Sequence, residues 1–74
     1  MDLKNISEKD ILVIKNAPSE TTHIDIIYLD YWDLSSKCPY LFNKETGIWE
    51  YENLNYEPKE SLRHIDDLKY ILGI

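Results

Sequence analysis

Hydrophobic positions along this chain fall into four groups, separated by polar stretches that hold the turn-forming residues. The first group is Ile11-Leu12-Val13-Ile14, closed by Asn16-Ala17-Pro18-Ser19. A short, mostly β-branched run with that ending predicts a strand over about 10–16. Ser7 followed by Asp10 has the outline of a helix cap, so the rival is one or two turns of helix ahead of the strand.

The second group, residues 22–34, has Ile24, Ile26, Tyr28, Trp32 and Leu34 at even positions. Ile27, Leu29 and Tyr31 fill the odd ones. With both faces apolar, it predicts one central strand covered on both sides. Ser35 to Pro39 reads as a turn.

The third group alternates on either side of a polar step. Tyr40-Leu41-Phe42 precedes Asn43 to Gly47, and Ile48-Trp49-Glu50-Tyr51 follows. A turn that ends in glycine between two alternating runs predicts a hairpin, with the glycine in the left-handed region. Tyr40 and Phe42 share one face of the first arm, and Trp49 and Tyr51 share one face of the second; Glu50 lies opposite Trp49.

The fourth group has helical spacing: Leu62, Ile65, Leu68 and Leu72, widened by Ile71. Pro58 suits a first helical position, and Gly73 suits a stop. The expectation is a helix over 58–72, with Arg63 and Asp67 close enough on it to pair. Together these elements predict an α+β fold in two layers: a small antiparallel sheet of three to four strands packed by one C-terminal helix.

Seventy-four residues bound the chain to a single small domain, 1–74. Nine aromatics and 43% hydrophobic residues supply a core that a disordered chain would lack. One cysteine, Cys38, allows no internal disulfide, which points to an intracellular, cytoplasmic setting. No basic segment followed by an apolar run opens the sequence, and Ile11–Ile14 is far too short to span a bilayer.

Charge changes the picture more. The net charge is −6 and it is concentrated. Residues 25–60 hold eight acids against three lysines, whereas residues 1–24 hold four acids against three lysines and residues 61–74 balance. Such a chain has no use for direct nucleic acid or an anionic membrane, because phosphate binding needs clustered Lys and Arg. It is drawn instead to a basic protein surface.

Candidate chemistry is sparse. His23, His64 and Cys38 have no spacing of a nucleophile and base, and the plain reading of His64 is a partly exposed helix residue beside Glu60. No Cys or His pair has zinc spacing and no loop has a calcium pattern, so no metal, cofactor or catalytic residue is expected. Two glycines cannot build a phosphate-cradling loop. The stretch YLFNKETGIWEYEN, residues 40–53, resembles the second half of a WW domain: aromatic-aromatic-Asn, a Thr-Gly turn, then Trp-Glu. It departs from that family in the 17-residue spacing of Trp32 and Trp49 and in lacking the family's proline after Trp49, and no function is carried over from it.

Two functional classes remain. One is a non-enzymatic acidic binding or inhibitor protein that occupies a basic surface, with a nucleic-acid-binding enzyme as the leading partner class, in the manner of phage-encoded anti-CRISPR or nuclease inhibitors and of nuclease immunity proteins. Its expected contact residues are the acids Asp30, Asp33, Glu45, Glu50 and Glu52, with Tyr31, Trp49 and Tyr51 as anchors. The other is a structural or homo-oligomeric interaction module. Which aromatics are exposed turns on which sheet face the helix covers: if Trp49 is buried, the acid opposite it faces solvent.

Overall fold

The computed structural model of the chain describes residues 1–52 and 60–74. In chain order these form α1 (Glu8–Lys15), β1 (His23–Asp25), β2 (Tyr31–Asp33), β3 (Tyr40–Asn43), β4 (Ile48–Tyr51), β5 (Leu62–His64) and α2 (Ile65–Leu72). The strands make one sheet, ordered β4-β3-β2-β1-β5 and antiparallel throughout. The two-layer α+β expectation holds, with five strands and a second helix.

The strand expected over 10–16 is instead α1. Ser7 Oγ accepts the Asp10 N–H at 3.2 Å, and Asp10 Oδ2 accepts the Ser7 N–H at 3.1 Å, which is a reciprocal capping box. Two orphan donors of the first turn are thereby satisfied, and this outweighs the β preference of Ile11, Val13 and Ile14. Tyr31 Oη completes the other end by donating to Val13 O at 2.6 Å, one of the carbonyls that the last helical turn leaves unused.

The long strand expected over 22–34 is a hairpin of β1 and β2. Asp25 bends it: its carboxylate, on a residue 1% exposed, accepts the N–H of Ile27 (2.8 Å) and of Tyr28 (3.1 Å). Leu29 then takes a left-handed conformation, φ +60°, and its N–H returns to Asp25 O at 2.7 Å. This turn explains why both faces of the segment look apolar. Ile24 and Tyr31 differ by an odd number yet are register partners on one face.

The helix expected over 58–72 begins only at Ile65; its proposed first residues, including Pro58, lie outside the described residues. Leu62–His64 instead pairs with β1 as an edge strand. Arg63 therefore does not sit four residues before Asp67 on a helix, and its guanidinium donates to the carbonyls of Glu60 and Leu62. His64 is the N-cap of α2, with Nδ1 accepting the Asp66 N–H at 3.2 Å, and its carboxylate neighbour is Asp66 rather than Glu60. Gly73 closes the helix in the left-handed region, φ +70°.

Both helices cover one sheet face. Register places Ile24, Tyr31, Phe42 and Trp49 in a row across β1 to β4. Tyr31, Phe42 and Trp49 meet edge to face, at centroid distances of 6.2 and 5.2 Å. Ile14, Ile65 and Leu68 close over this row to form the core. The opposite, far face carries a second row across all five strands: Glu50, Leu41, Trp32, His23 and His64.

Candidate partner-binding surface

The β3–β4 hairpin carries most of the candidate surface, and its shape is locally determined. Asn43 Oδ1 accepts the N–H of Glu45 (2.9 Å) and of Thr46 (3.3 Å), and the Gly47 N–H closes onto Asn43 O at 2.8 Å. Gly47 lies at φ +72°, a conformation free of steric cost only without a Cβ. The turn lifts Glu45 into solvent.

Alternation along β4 sends Ile48 and Glu50 to the far face and Trp49 and Tyr51 to the helix side. Glu50 is exposed, and its Oε1 accepts from Asn43 Nδ2 at 3.1 Å. Asn43 thus shapes the turn and fixes the carboxylate. Ile48, register partner of Asn43, is 60% exposed beside it.

A second group sits at the other end of the sheet, on the rim of the helix side. Asp33, Tyr40 and Tyr51 are register neighbours across β2, β3 and β4. The Tyr40 and Tyr51 rings meet at 6.0 Å, edge to face, and Tyr51 is 51% exposed. The Tyr51 phenol is raised above its ordinary pKa by reduced solvation, then by the Cys38 thiol and Tyr40. Asp33 Oδ1 accepts from the Ser35 N–H (3.0 Å) and Oγ (2.6 Å). Glu52 is half-buried, its N–H bound to Pro39 O at 2.9 Å.

The structure thus places the expected residues unevenly. Glu45 and Glu50 join on the edge hairpin; Asp33, Tyr51 and Glu52 gather at its far end. Asp30, half-buried, is level with Asn43 at the turn end when the β2–β3 register is extended. Trp49 is half-buried on the helix side, packed on Phe42. Tyr31 is a correction: at 7% exposed, with its hydroxyl given to Val13, it is a core residue and not an anchor. Burial also raises its phenol pKa.

Ile27 and Tyr28, both about two-thirds exposed (66% and 65%), are apolar surface that sequence reasoning missed. The available signal was Asp25, whose short side chain is suited to capping a turn two and three residues on.

Among the described residues, no lysine or arginine lies within 4 Å of a carboxylate. Among them, the one charge-capable contact within that distance is His64 Nδ1 to Asp66 Oδ2, at 3.8 Å, an ion pair only when the imidazole is protonated. The Lys44 ammonium is spent on Leu29 O, 2.6 Å away, and lies 5.2 Å from the Tyr31 ring centroid. Glu45, Glu50, Asp33 and Glu52 thus have no described lysine or arginine within 4 Å, while Lys44 keeps its positive charge on the same turn.

Among the described residues no three His, Cys, Asp or Glu side chains come together as a metal site. Nor is any helix there long and apolar enough to cross a membrane. The fold and surface define a small two-layer α+β domain with an acidic edge hairpin. Comparison with protein-family models, with curated proteins and with solved structures returned no match.

Proposed function

We propose that this chain is a non-enzymatic binding protein that seats its acidic hairpin on a basic surface of a partner protein, one built to hold nucleic acid. The carrying observation is that Glu45, Glu50, Asp33 and Glu52 have no lysine or arginine within 4 Å among the described residues. Acids that pair with nothing at home add little to folding and much to long-range attraction. The exposed carboxylates of Glu45 and Glu50 on the edge hairpin imitate phosphates, and a nucleic-acid-binding enzyme supplies the matching lysines and arginines. Ile48 and Tyr51 give the hairpin apolar contact beside the charge, so that steering brings the partner in and the side chains hold it. The inhibitor class follows, because a protein that fills such a surface displaces its nucleic acid.

A homo-oligomeric module is the competing reading, favoured by exposed Leu12, Tyr70 and Ile71 on the helices. Affinity capture from host lysate at about 50 and 500 mM salt separates the two, because surface charge is screened across that range. Nucleic-acid-binding enzymes retained at low salt and lost at high salt support the inhibitor reading. Their absence at low salt, with self-association that ignores salt, supports the module.

A further inference from the structure

We propose that His23 and His64 form an acid-sensitive latch on α2, which holds the start of that helix against β1 while both imidazoles are neutral. Ile65 N–H donates to Thr22 O (2.8 Å) and Ile26 N–H to Ser61 O (3.0 Å). His23 and His64, register partners between them, therefore occupy a non-hydrogen-bonded position, where cross-strand side chains come closest. The rings stand edge to face with centroids 5.0 Å apart.

The Asp66 N–H lies 3.2 Å from His64 Nδ1, a contact that only an unprotonated Nδ1 can accept. His23 Nδ1 lies 2.8 Å from Thr22 Oγ1, which also accepts the Leu34 N–H at 2.9 Å. The pair thus joins the first turn of α2, strand β1 and the end of β2.

Acid breaks this in two ways. A proton on His64 Nδ1 removes the acceptor for Asp66 N–H and puts a cation at the positive end of the helix. A second proton, on His23, places two cations about a ring's width apart. The His23 pKa is already lowered, by burial and then by His64.

The charged groups around the pair come from three elements, of which Arg63, register partner of Ile24, lies on the opposite face of the sheet. Asp66 and Asp67, in the first turn of α2, oppose the release: Asp66 Oδ2 is 3.8 Å from His64 Nδ1, and Asp67 favours a charged His23. Asp25 of β1 is committed to the N–H groups of Ile27 and Tyr28, and Arg63 of β5 to backbone carbonyls. The proton on His64 therefore turns to the solvent-exposed Asp66 carboxylate, exchanging a cap for a screened ion pair. Ile65 and Leu68 are core residues, so a freed helix start loosens the layer above the sheet.

Amide exchange of Asp66 to Leu68, corrected for intrinsic rates and followed from pH 7.5 to 5.5, tests the latch. Protection in the wild type should fall about tenfold, while β3 and β4 hold theirs. In His64→Asn, which keeps a capping acceptor that does not titrate, the fall should vanish. In the wild type alone, the Asp66 amide shift should follow the His64 ring through one midpoint. An unchanged wild-type protection, an equal fall in His64→Asn, or an Asp66 amide that ignores the ring titration overturns the proposal.

Discussion

Tyr31 shows how one side chain can serve two elements. Its ring fills the aromatic row on the sheet, and its hydroxyl satisfies Val13 O at the end of α1. A tyrosine read from alternation alone looks like an interface anchor, because nothing in strand periodicity says whether its hydroxyl has a partner. Replacing it with phenylalanine keeps the ring and orphans a buried carbonyl. Tyr31→Phe should therefore cost about 1–3 kcal/mol, read as a lower denaturant midpoint with an unchanged slope. A midpoint that does not move would mean that Val13 O finds water instead. Leu29 makes the opposite point: a bulky residue at φ +60° is invisible in composition, and only the Asp25 turn around it explains the conformation.

At the scale of elements, what was legible depended on how local the determining interaction is. The β3–β4 hairpin could be read in full, because Asn43, Gly47 and two alternating runs lie within twelve residues of sequence. Alternation also put Trp49 and Glu50 on opposite faces, but only the structure shows that Trp49 is the one under the helices. The β1–β2 hairpin was hidden because a buried aspartate, in place of Asn-Gly, makes the bend. Helix α1 was hidden because four consecutive apolar residues mask a 3.6-residue period, leaving only the Ser7–Asp10 box to announce it. The placement of Glu45 in the turn and of Glu50 opposite Trp49 was legible from alternation; which aromatics are exposed, and the burial of Tyr31, were not, since they depend on which face the helices cover and on a helix that was read as a strand.

The box has a measurable weight. Ser7→Ala should destabilise the protein by about 1 kcal/mol, while Ser7→Asp, which keeps an accepting oxygen, should retain most of the stability. Equal losses in both variants would show that the helix owes nothing to its cap.

Across the whole molecule, two rows of register partners divide the work. The helix-side row from Ile24 to Trp49 supplies the core; the far-face row places a carboxylate at one edge of the sheet and two imidazoles at the other. The titrating groups fix how stability responds to acid. His23 has a folded pKa below its unfolded value near 6.5, so the unfolded state binds the proton first and stability falls as pH drops through that region. Asp10 is also lowered, chiefly by the Ser7 N–H, and its contribution persists above its unfolded value of 3.8 and is lost further down. Urea unfolding at pH 5.5 should thus show a lower midpoint than at pH 7.5, with a further decline below pH 4. A midpoint constant from pH 7.5 to 5.5 would contradict the burial of a neutral His23.

The acidic hairpin is the central claim, and reversing its charge tests it most directly. In Glu45→Lys/Glu50→Lys both positions are exposed, so folding should change by less than about 0.5 kcal/mol. Binding to the captured basic partner, measured by calorimetry at about 50 mM salt, should weaken by 100-fold or more and lose most of its salt dependence. A double variant that folds normally and binds that partner with wild-type affinity and salt dependence would contradict the account.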